Sequence, residues 1–447
     1  MSKRDEQQAI ETANKDLTRA HTLRAQGKTA DAEAILRDVL GREGLVEASR
    51  QFAGGHLAHL LLREGRADEA NALFVETGDK ATHYLAAAKL WGQAFLQYSK
   101  PERALELAER IIAKFPDDAG GYDLKGNALR AMERLDEAAE ALDEARKRDP
   151  DNSFILNALV IVLTRLNRLD ESRSFGQLAL MLKDRQARTK FAVSQHKALT
   201  LNQAAAVKPL DPVKRERNII AFALWGAKPA YIYGAIINAK IARYIYPEWT
   251  CRFYCDATVP PAAIEELKRR HAQVVMMDPP NFRFSGTFWR FLPSDDVANV
   301  DRFIVRDVDS RLNVRERVAV EEWVDSGKPF HIMRDNVMHN ELILAGMWGG
   351  VPGFLPPLKT MFEGNYARMD HAHADQFFLK DVVWPLVREH ALTHDSNYRV
   401  AGSKDFPEFG TVPPYWHVGC GFHDPYYWEG VEVPGLETED YKDLGKR

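Results

Sequence analysis

Two aspartates two positions apart close a hydrophobic run in Phe303-Ile-Val-Arg-Asp307-Val-Asp309-Ser310. If the strand continues through them, side chains at i and i+2 share a face, so both carboxylates project the same way. Paired carboxylate oxygens are hard ligands of the kind Mg²⁺ and Mn²⁺ prefer. A divalent cation there could bridge the two phosphates of a nucleotide and neutralise charge on a leaving diphosphate. The competing reading is a surface turn that caps the helix after Ser310. A second cluster, His371-Ala-His373-Ala-Asp375-Gln376, sets alternate histidines beside an acid and an amide. Alternate histidines in a loop can ligate zinc, while Asp375 is also a fitting N-cap for the apolar Phe377-Phe-Leu. Cys251 and Cys255 share one face of a strand, and with Cys420 as the only further cysteine they read as buried thiols.

The elements that must position these groups follow from hydrophobic periodicity. Asn218–Trp225, Thr250–Cys255, Gln273–Met277, Arg302–Val305 and Phe330–Met333 read as strands. Ala230–Tyr246, Pro260–Arg270 and Val314–Val324 read as helices between them, and Thr287–Leu292 opens a short one. Strand–helix alternation predicts a parallel sheet with helices on both faces, and ligands in such sheets bind beyond the C-terminal strand ends. Asp307 and Asp309 stand at such an end.

The first 200 residues are built differently. Of 22 prolines only Pro101, Pro116 and Pro150 lie there, and of 9 tryptophans only Trp91. Arg134-Leu-Asp-Glu-Ala138 returns 34 residues later as Arg168-Leu-Asp-Glu-Ser172. Ala70, Ala104, Ala138 and Ser172 form a ladder of the same period, as do Gly92 and Gly126, and Pro116 and Pro150. Small residues at fixed spacing let paired helices approach, and proline ends the second helix of each pair. The period and residue types resemble the tetratricopeptide repeat over roughly residues 12–184. The first unit, about 13–46 with Ala32, is offset from the ladder, and the last is degenerate at Val160, Ser172 and Gly176. Residues 185–206 read as a further capping helix. The expected domains are an all-α solenoid over 1–206, a linker over 207–217 and an α/β domain over 218–447.

The net charge of −4 gives no cationic surplus for nucleic acid. A polar start and the absence of an 18-residue apolar run predict a cytoplasmic protein without a transmembrane segment, with peripheral attachment at the inner face of a membrane left open. Three cysteines fit a reducing compartment.

Asp307-Val-Asp309 after the fourth strand resembles the Asp-x-Asp of GT-A-fold glycosyltransferases, a Rossmann-like fold of nucleotide-diphospho-sugar transferases. Four further features agree in order, one upstream and three downstream. Arg290 in Phe288-Trp-Arg-Phe291 matches their basic donor-site residue. Ala345-Gly346 matches the small-residue turn beside the donor sugar. Asp375-Gln376 matches the acid–amide pair of the retaining, family-8-like branch, and His417 in Trp416-His-Val-Gly419 matches the late histidine of the metal shell.

The resemblance implies a transferase that uses Mn²⁺ or Mg²⁺ and a UDP- or GDP-sugar. Asp307, Asp309 and His417 would hold the metal, with His423 as rival to His417. Arg290 would contact phosphate, and Asp375 and Gln376 would contact sugar hydroxyls and the reacting carbon. Ala223 and Trp225 would hold the base, Asp256 would approach the nucleoside, and Arg334, Asp335 and His339 would line the acceptor side. The acceptor would be a glycan, a lipid-linked glycan or a protein, and the solenoid would bind a protein partner or acceptor. Asp-Gln favours retention, while inversion would make Asp375 the general base. Two alternatives stand beside this: a non-catalytic repeat scaffold with an inactive transferase-like domain, and a hydrolase. The latter follows from the resemblance of His371-Ala-His-Ala-Asp375 to the His-x-His-x-Asp-His of metallo-β-lactamase-type enzymes, with Gln376 where the final histidine should be.

Overall fold

The computed structural model describes residues 3–77, 85–280, 282, 284–369, 371–408 and 417–420. The chain forms two compact units, residues 1–182 and 183–447.

The first unit is helical. Among the described residues its helices are α1 (Lys3–Ala25), α2 (Thr29–Gly41), α3 (Glu47–Arg63), α4 (Ala67–Thr77), α5 (Leu85–Gln97), α6 (Pro101–Lys114), α7 (Ala119–Ala131), α8 (Leu135–Arg148), α9 (Ser153–Arg165) and α10 (Leu169–Val193). Ala70, Ala104, Ala138 and Ser172 of the period-34 ladder are all fully buried. The two glycines are there for closeness. A Cβ on Gly92 would lie 2.3 Å from Leu124, and one on Gly126 would lie 2.5 Å from Leu142. The turns repeat as strictly as the helices: Gly65, Ser99, Glu133 and Asn167, 34 apart, all have left-handed φ between 58° and 78°. Arg66, Arg134 and Arg168 then pair with the glutamate three residues on, at the start of α4, α8 and α10.

The boundary falls after Leu182 rather than at residue 206, and the reason is local. From Lys183 onward the chain is committed to the second unit. Lys183 Nζ donates to the Asn340 carbonyl and pairs with Glu341, both at 2.6 Å. Asp184 accepts from Trp384 Nε1 at 2.8 Å, and Lys190 pairs with Asp381. No separate capping helix covers 185–206, because α10 runs on to Val193. Residues 207–217 are not a free linker either: Val207 and Leu210 pack on the core and Lys208 pairs with Asp301 at 2.8 Å.

The second unit is built on a seven-stranded sheet of β1 (Asn218–Leu224), β2 (Thr250–Cys255), β3 (Gln273–Met276), β4 (Arg302–Arg306), β5 (Phe330–Arg334), β6 (Met347–Gly350) and β7 (Ala391–Asp395), in the order β3-β2-β1-β4-β6-β5-β7. The parallel-sheet expectation needs correction, since β6 runs antiparallel to both β4 and β5. Glycine makes that insertion possible. A Cβ on Gly349 would lie 2.6 Å from the Phe303 carbonyl, and one on Gly350 would lie 2.9 Å from the Phe330 ring. Helices α11 (Pro229–Ile245), α12 (Pro261–Arg269) and α13 (Val314–Ser326) connect the strands as expected, and Ser285–Asp295 is a 3-10 helix. Phe222, Phe253, Ile236, Ile304 and Trp323 are buried in one core cluster.

Candidate functional site

The order in which strands are added reverses at β1. β2 and β3 lie on one side of it, β4 on the other, and all four are parallel. Chain segments leaving β1 and β4 therefore diverge and open a crevice at the switch point. A cavity of about 470 Å³ occupies it, lined by Ala223 and Trp225 at the end of β1, Asp307 and Asp309 after β4, Ala345 and Gly346 before β6, Arg290, Asp375 and Gln376. These nine residues, all nominated by the sequence and drawn from five separate segments, thus share one cavity. Tyr231, Thr287, Leu344, Met347 and Gly419 also line it and carry no spacing signal in the sequence.

Helix α11 fixes the aspartate loop. Gly234 lets it approach so closely that a Cβ there would lie 2.2 Å from the Val308 carbonyl. Asn238, one turn on, donates to the carbonyls of Val308 and Ser310 and accepts from Leu312 N–H at 3.2 Å. Its signal was visible: a lone amide on an apolar helical stripe, where an unpaired polar group would be costly.

Arg290 is the electrostatic hub. It donates to Asp375 Oδ2 at 2.8 Å and also to Asp307 Oδ1. Its buried Nε has no partner among the described residues. The nearby Asp295 and Asp296 are used elsewhere: Asp295 accepts the amides of Leu358 and Lys359, and Asp296 pairs with Arg252. Burial alone would weaken Arg290 as a cation, but the two carboxylates outweigh it and hold its pKa above the ordinary value. Asp375 moves up because burial outweighs the pull of Arg290. Asp309 also moves up, first through burial and then through the charge of Asp307. Three carboxylates thus face one guanidinium, leaving a negative surplus when all are ionised.

The remaining nominees divide. Gln376 lines the cavity but is a clamp, accepting from Ala345 N–H at 3.0 Å and donating to the Ile343 carbonyl. Gly346 leaves room for Asp307, whose Oδ2 would lie 2.1 Å from a Cβ there. Asp256 does not line the cavity; its Oδ1 accepts from Thr258 in a turn, and Thr258 Oγ1 in turn accepts from Gly226 N–H at 2.6 Å. Arg334 is fully buried against Asp395, and Asp335 is held by Arg315 at 2.8 Å, so both buttress the fold. His339 does line the cavity.

His417 packs edge-on to His339 with ring centroids 4.8 Å apart and is not among the lining residues. Its Nδ1–H donates to the Val418 carbonyl at 2.9 Å, which leaves Nε2 bare, the tautomer a metal ligand needs. Among the described residues no three His, Cys, Asp or Glu side chains are gathered around a common metal position, so Asp307, Asp309 and His417 do not form such a set. His423 lies outside the described residues. The zinc-hydrolase set does not assemble there either. His371 Nδ1 accepts from the His373 amide at 3.1 Å, and Asp375 is committed to Arg290.

A sequence profile for the tetratricopeptide repeat matches residues 124–188, which agrees with the period-34 helix pairs. No curated protein matches the chain. Solved structures similar to it include a MamA fragment from Desulfovibrio magneticus RS-1, at 20% identity over 39% of this chain and 96% of that one, with a TM-score of 0.31. Another is PilF from Pseudomonas aeruginosa, at 14% identity over 40% of this chain and 85% of that one, with a TM-score of 0.32.

Proposed function

We propose that the second unit is a GT-A-type glycosyltransferase whose cavity binds a UDP- or GDP-sugar. One observation carries the reading: Asp307, Asp309, Asp375 and Arg290 converge on one cavity at the switch point of the sheet. Asp307 and Asp309 fit a divalent cation, because they are two hard carboxylates and Asp309 has no ion-pair partner of its own among the described residues. Mg²⁺ and Mn²⁺ sites of this kind complete their shells with phosphates and water. When bound, the cation supplies charge neutralisation for the diphosphate.

The protein's own groups do the rest. Arg290 holds Asp307 and Asp375 in fixed positions, so the site needs little reorganisation as charge develops. Asp375 would take a hydrogen bond from a sugar hydroxyl, and in an inverting reaction the acceptor's proton. Gln376 holds Ala345, and with it the Ala345-Gly346 turn that would lie beside the donor. A glycan, a lipid-linked glycan or a protein would supply the hydroxyl. The solenoid would bind a protein partner or acceptor in its own groove of about 720 Å³, lined among others by Lys89, Asp123, Asn127, Arg130 and Phe154. Among the described residues no helix is long and apolar enough to cross a membrane. We place the chain in the cytoplasm, with attachment at a membrane's inner face left open.

The scaffold alternative draws on one observation, that no three-ligand metal set is present among the described residues. Calorimetry and thermal shift with UDP or GDP plus Mn²⁺ separate the two. The transferase should bind one of them, lose binding with EDTA and regain it with Mn²⁺. If no nucleotide diphosphate binds and no nucleotide sugar is hydrolysed with metal present, the enzyme reading fails.

A further inference from the structure

His339 stands in the loop between β5 and β6, and that loop is pinned along its length. Tyr398 donates to the Val337 carbonyl, Lys183 to that of Asn340 and Arg334 to that of Leu342, while Gln376 holds Ile343 and Ala345. Within it, His339 Nδ1 accepts two backbone N–H groups, from Asp335 at 3.0 Å and Asn336 at 3.2 Å. An N–H cannot donate to another N–H, so Nδ1 must be bare. A neutral imidazole then carries its proton on Nε2. That nitrogen has no hydrogen-bond partner among the described residues, and the ring lines the cavity.

We infer that His339 is a fixed N–H donor to a phosphate oxygen of the ligand, and neither a base nor a metal ligand. Metal ligation through Nε2 would move the proton to Nδ1, where two amides already point. The choice of phosphate follows from the cavity's other groups. Asp307, Asp309 and Asp375 are acceptors and can serve ligand hydroxyls, which donate. Arg290 is committed to two of them. A donor with no accepting capacity suits a ligand group that only accepts, and a diphosphate is such a group. The inference rests on the nucleotide-diphosphate reading of the cavity and adds the residue that recognises it.

Two substitutions separate the two nitrogens. His339→Asn keeps an acceptor near the Nδ1 position for the amides and removes the far donor, whereas His339→Gln restores a donor near the Nε2 position. In the full chain with Mn²⁺ and whichever of UDP or GDP the wild type binds, His339→Asn should weaken binding about tenfold. His339→Gln should stay within about threefold of wild type, on the same hydrogen-bond scale. The melting temperature of the Asn variant should not move. Histidine ¹⁵N spectra of the wild type, assigned by the Asn variant, should show the Nε2–H tautomer.

An Nδ1–H tautomer overturns the inference, and so does equal binding by all three proteins. Uridine or guanosine losing as much affinity as the diphosphate would also overturn it, because the donor would then serve another group. If the wild type binds neither UDP nor GDP, the cavity reading and this ligand fall together. Binding that ignores residue 339 sinks only the inference.

Discussion

The two units differ in how deeply they bury charge. In the solenoid, ion pairs sit at the surface and recur with the repeat, as in Arg134–Glu137, whose side chains are 44% and 55% exposed. The α/β unit has surface pairs too, such as Lys268–Glu265, but adds sealed ones: Arg334–Asp395, both fully buried, and Arg306–Glu316, each 1% exposed. A surface pair exchanges water for a partner at little net gain, while a sealed pair, once broken, strands a charge where water cannot reach it. The surface pairs of the repeat can therefore vary, and the sealed pairs of the sheet cannot. The sharpest way to break this contrast is a pair of truncations. Arg334→Ala should destabilise the second unit by about 3–5 kcal/mol, the usual cost of stranding one partner of a buried pair. Arg134→Ala should leave the solenoid's unfolding transition unmoved. Denaturant titration by tryptophan fluorescence reports the second unit, which carries eight of the nine tryptophans, and far-ultraviolet circular dichroism reports both. Equal losses would erase the contrast.

The cavity extends the comparison, because there the buried charge is kept for a ligand. Asp309 is held above its ordinary pKa by burial and by Asp307, so ionising it at neutral pH works against folding. Asp309→Asn should therefore raise the melting temperature slightly while lowering Mn²⁺-dependent nucleotide-diphosphate affinity by about a hundredfold, as for loss of a charged ligand group. Calorimetry and thermal melts on one preparation check both. A variant that is both less stable and fully binding would place Asp309 in a structural turn.

Legibility in the sequence followed the same divide. The solenoid is written in repetition, so Ala104, Gly126 and Pro150 could be found by their spacing alone. The strands before Asp307 were legible because hydrophobic runs alternate with helical stripes. β6 was not, because Met347-Trp-Gly-Gly350 reads as a turn, and only its neighbours Phe303 and Phe330 show why glycine must be there. The nominated cavity residues came together because acidic and basic types at strand ends are informative. The role of Gln376 did not, since an amide that clamps a loop and one that touches a sugar look alike in sequence. Asp256 shows the converse: position at a strand end was right, and the side chain turned to Thr258 instead.

Acid should also destabilise the second unit. His394 Nε2–H donates to Glu322 at 3.0 Å, so its Nδ1 accepts from His331 Nε2–H at 2.8 Å. His331 Nδ1 is left buried without a partner among the described residues, with Trp323 stacked on the ring, Arg306 nearby and Lys404 on the far side of Glu322. Burial holds both histidines below their ordinary pKa, His331 most. The sign follows. Above the unfolded value of about 6.5 both states are neutral and nothing is lost. Below it, the unfolded chain binds protons that the folded unit refuses, so stability falls as pH falls, by up to about 1.4 kcal/mol per pH unit for each such histidine. Between pH 7 and 5, tryptophan-monitored stability of wild type should fall more steeply than that of His331→Gln. Parallel profiles would show that His331 does not stay neutral in the fold.

The smallest effect tests the repeat itself. Gly65, Ser99, Glu133 and Asn167 occupy the same left-handed turn, yet only one is glycine. For a residue with a Cβ that conformation costs about 1–2 kcal/mol, and asparagine tolerates it best of the rest. Glycine removes the steric cost but adds about 0.5–1 kcal/mol of chain entropy to be lost on folding. Ser99→Gly should therefore stabilise the solenoid by under about 1 kcal/mol, and Asn167→Gly by less still. Glu133→Gly should gain least of all, since it also removes the pairing of Glu133 with Arg165. The comparison is a helix-monitored denaturant midpoint for the three variants. If Ser99→Gly destabilised as much as a core cavity does, the turn would be set by contacts of the serine rather than by the shared backbone geometry of the repeat.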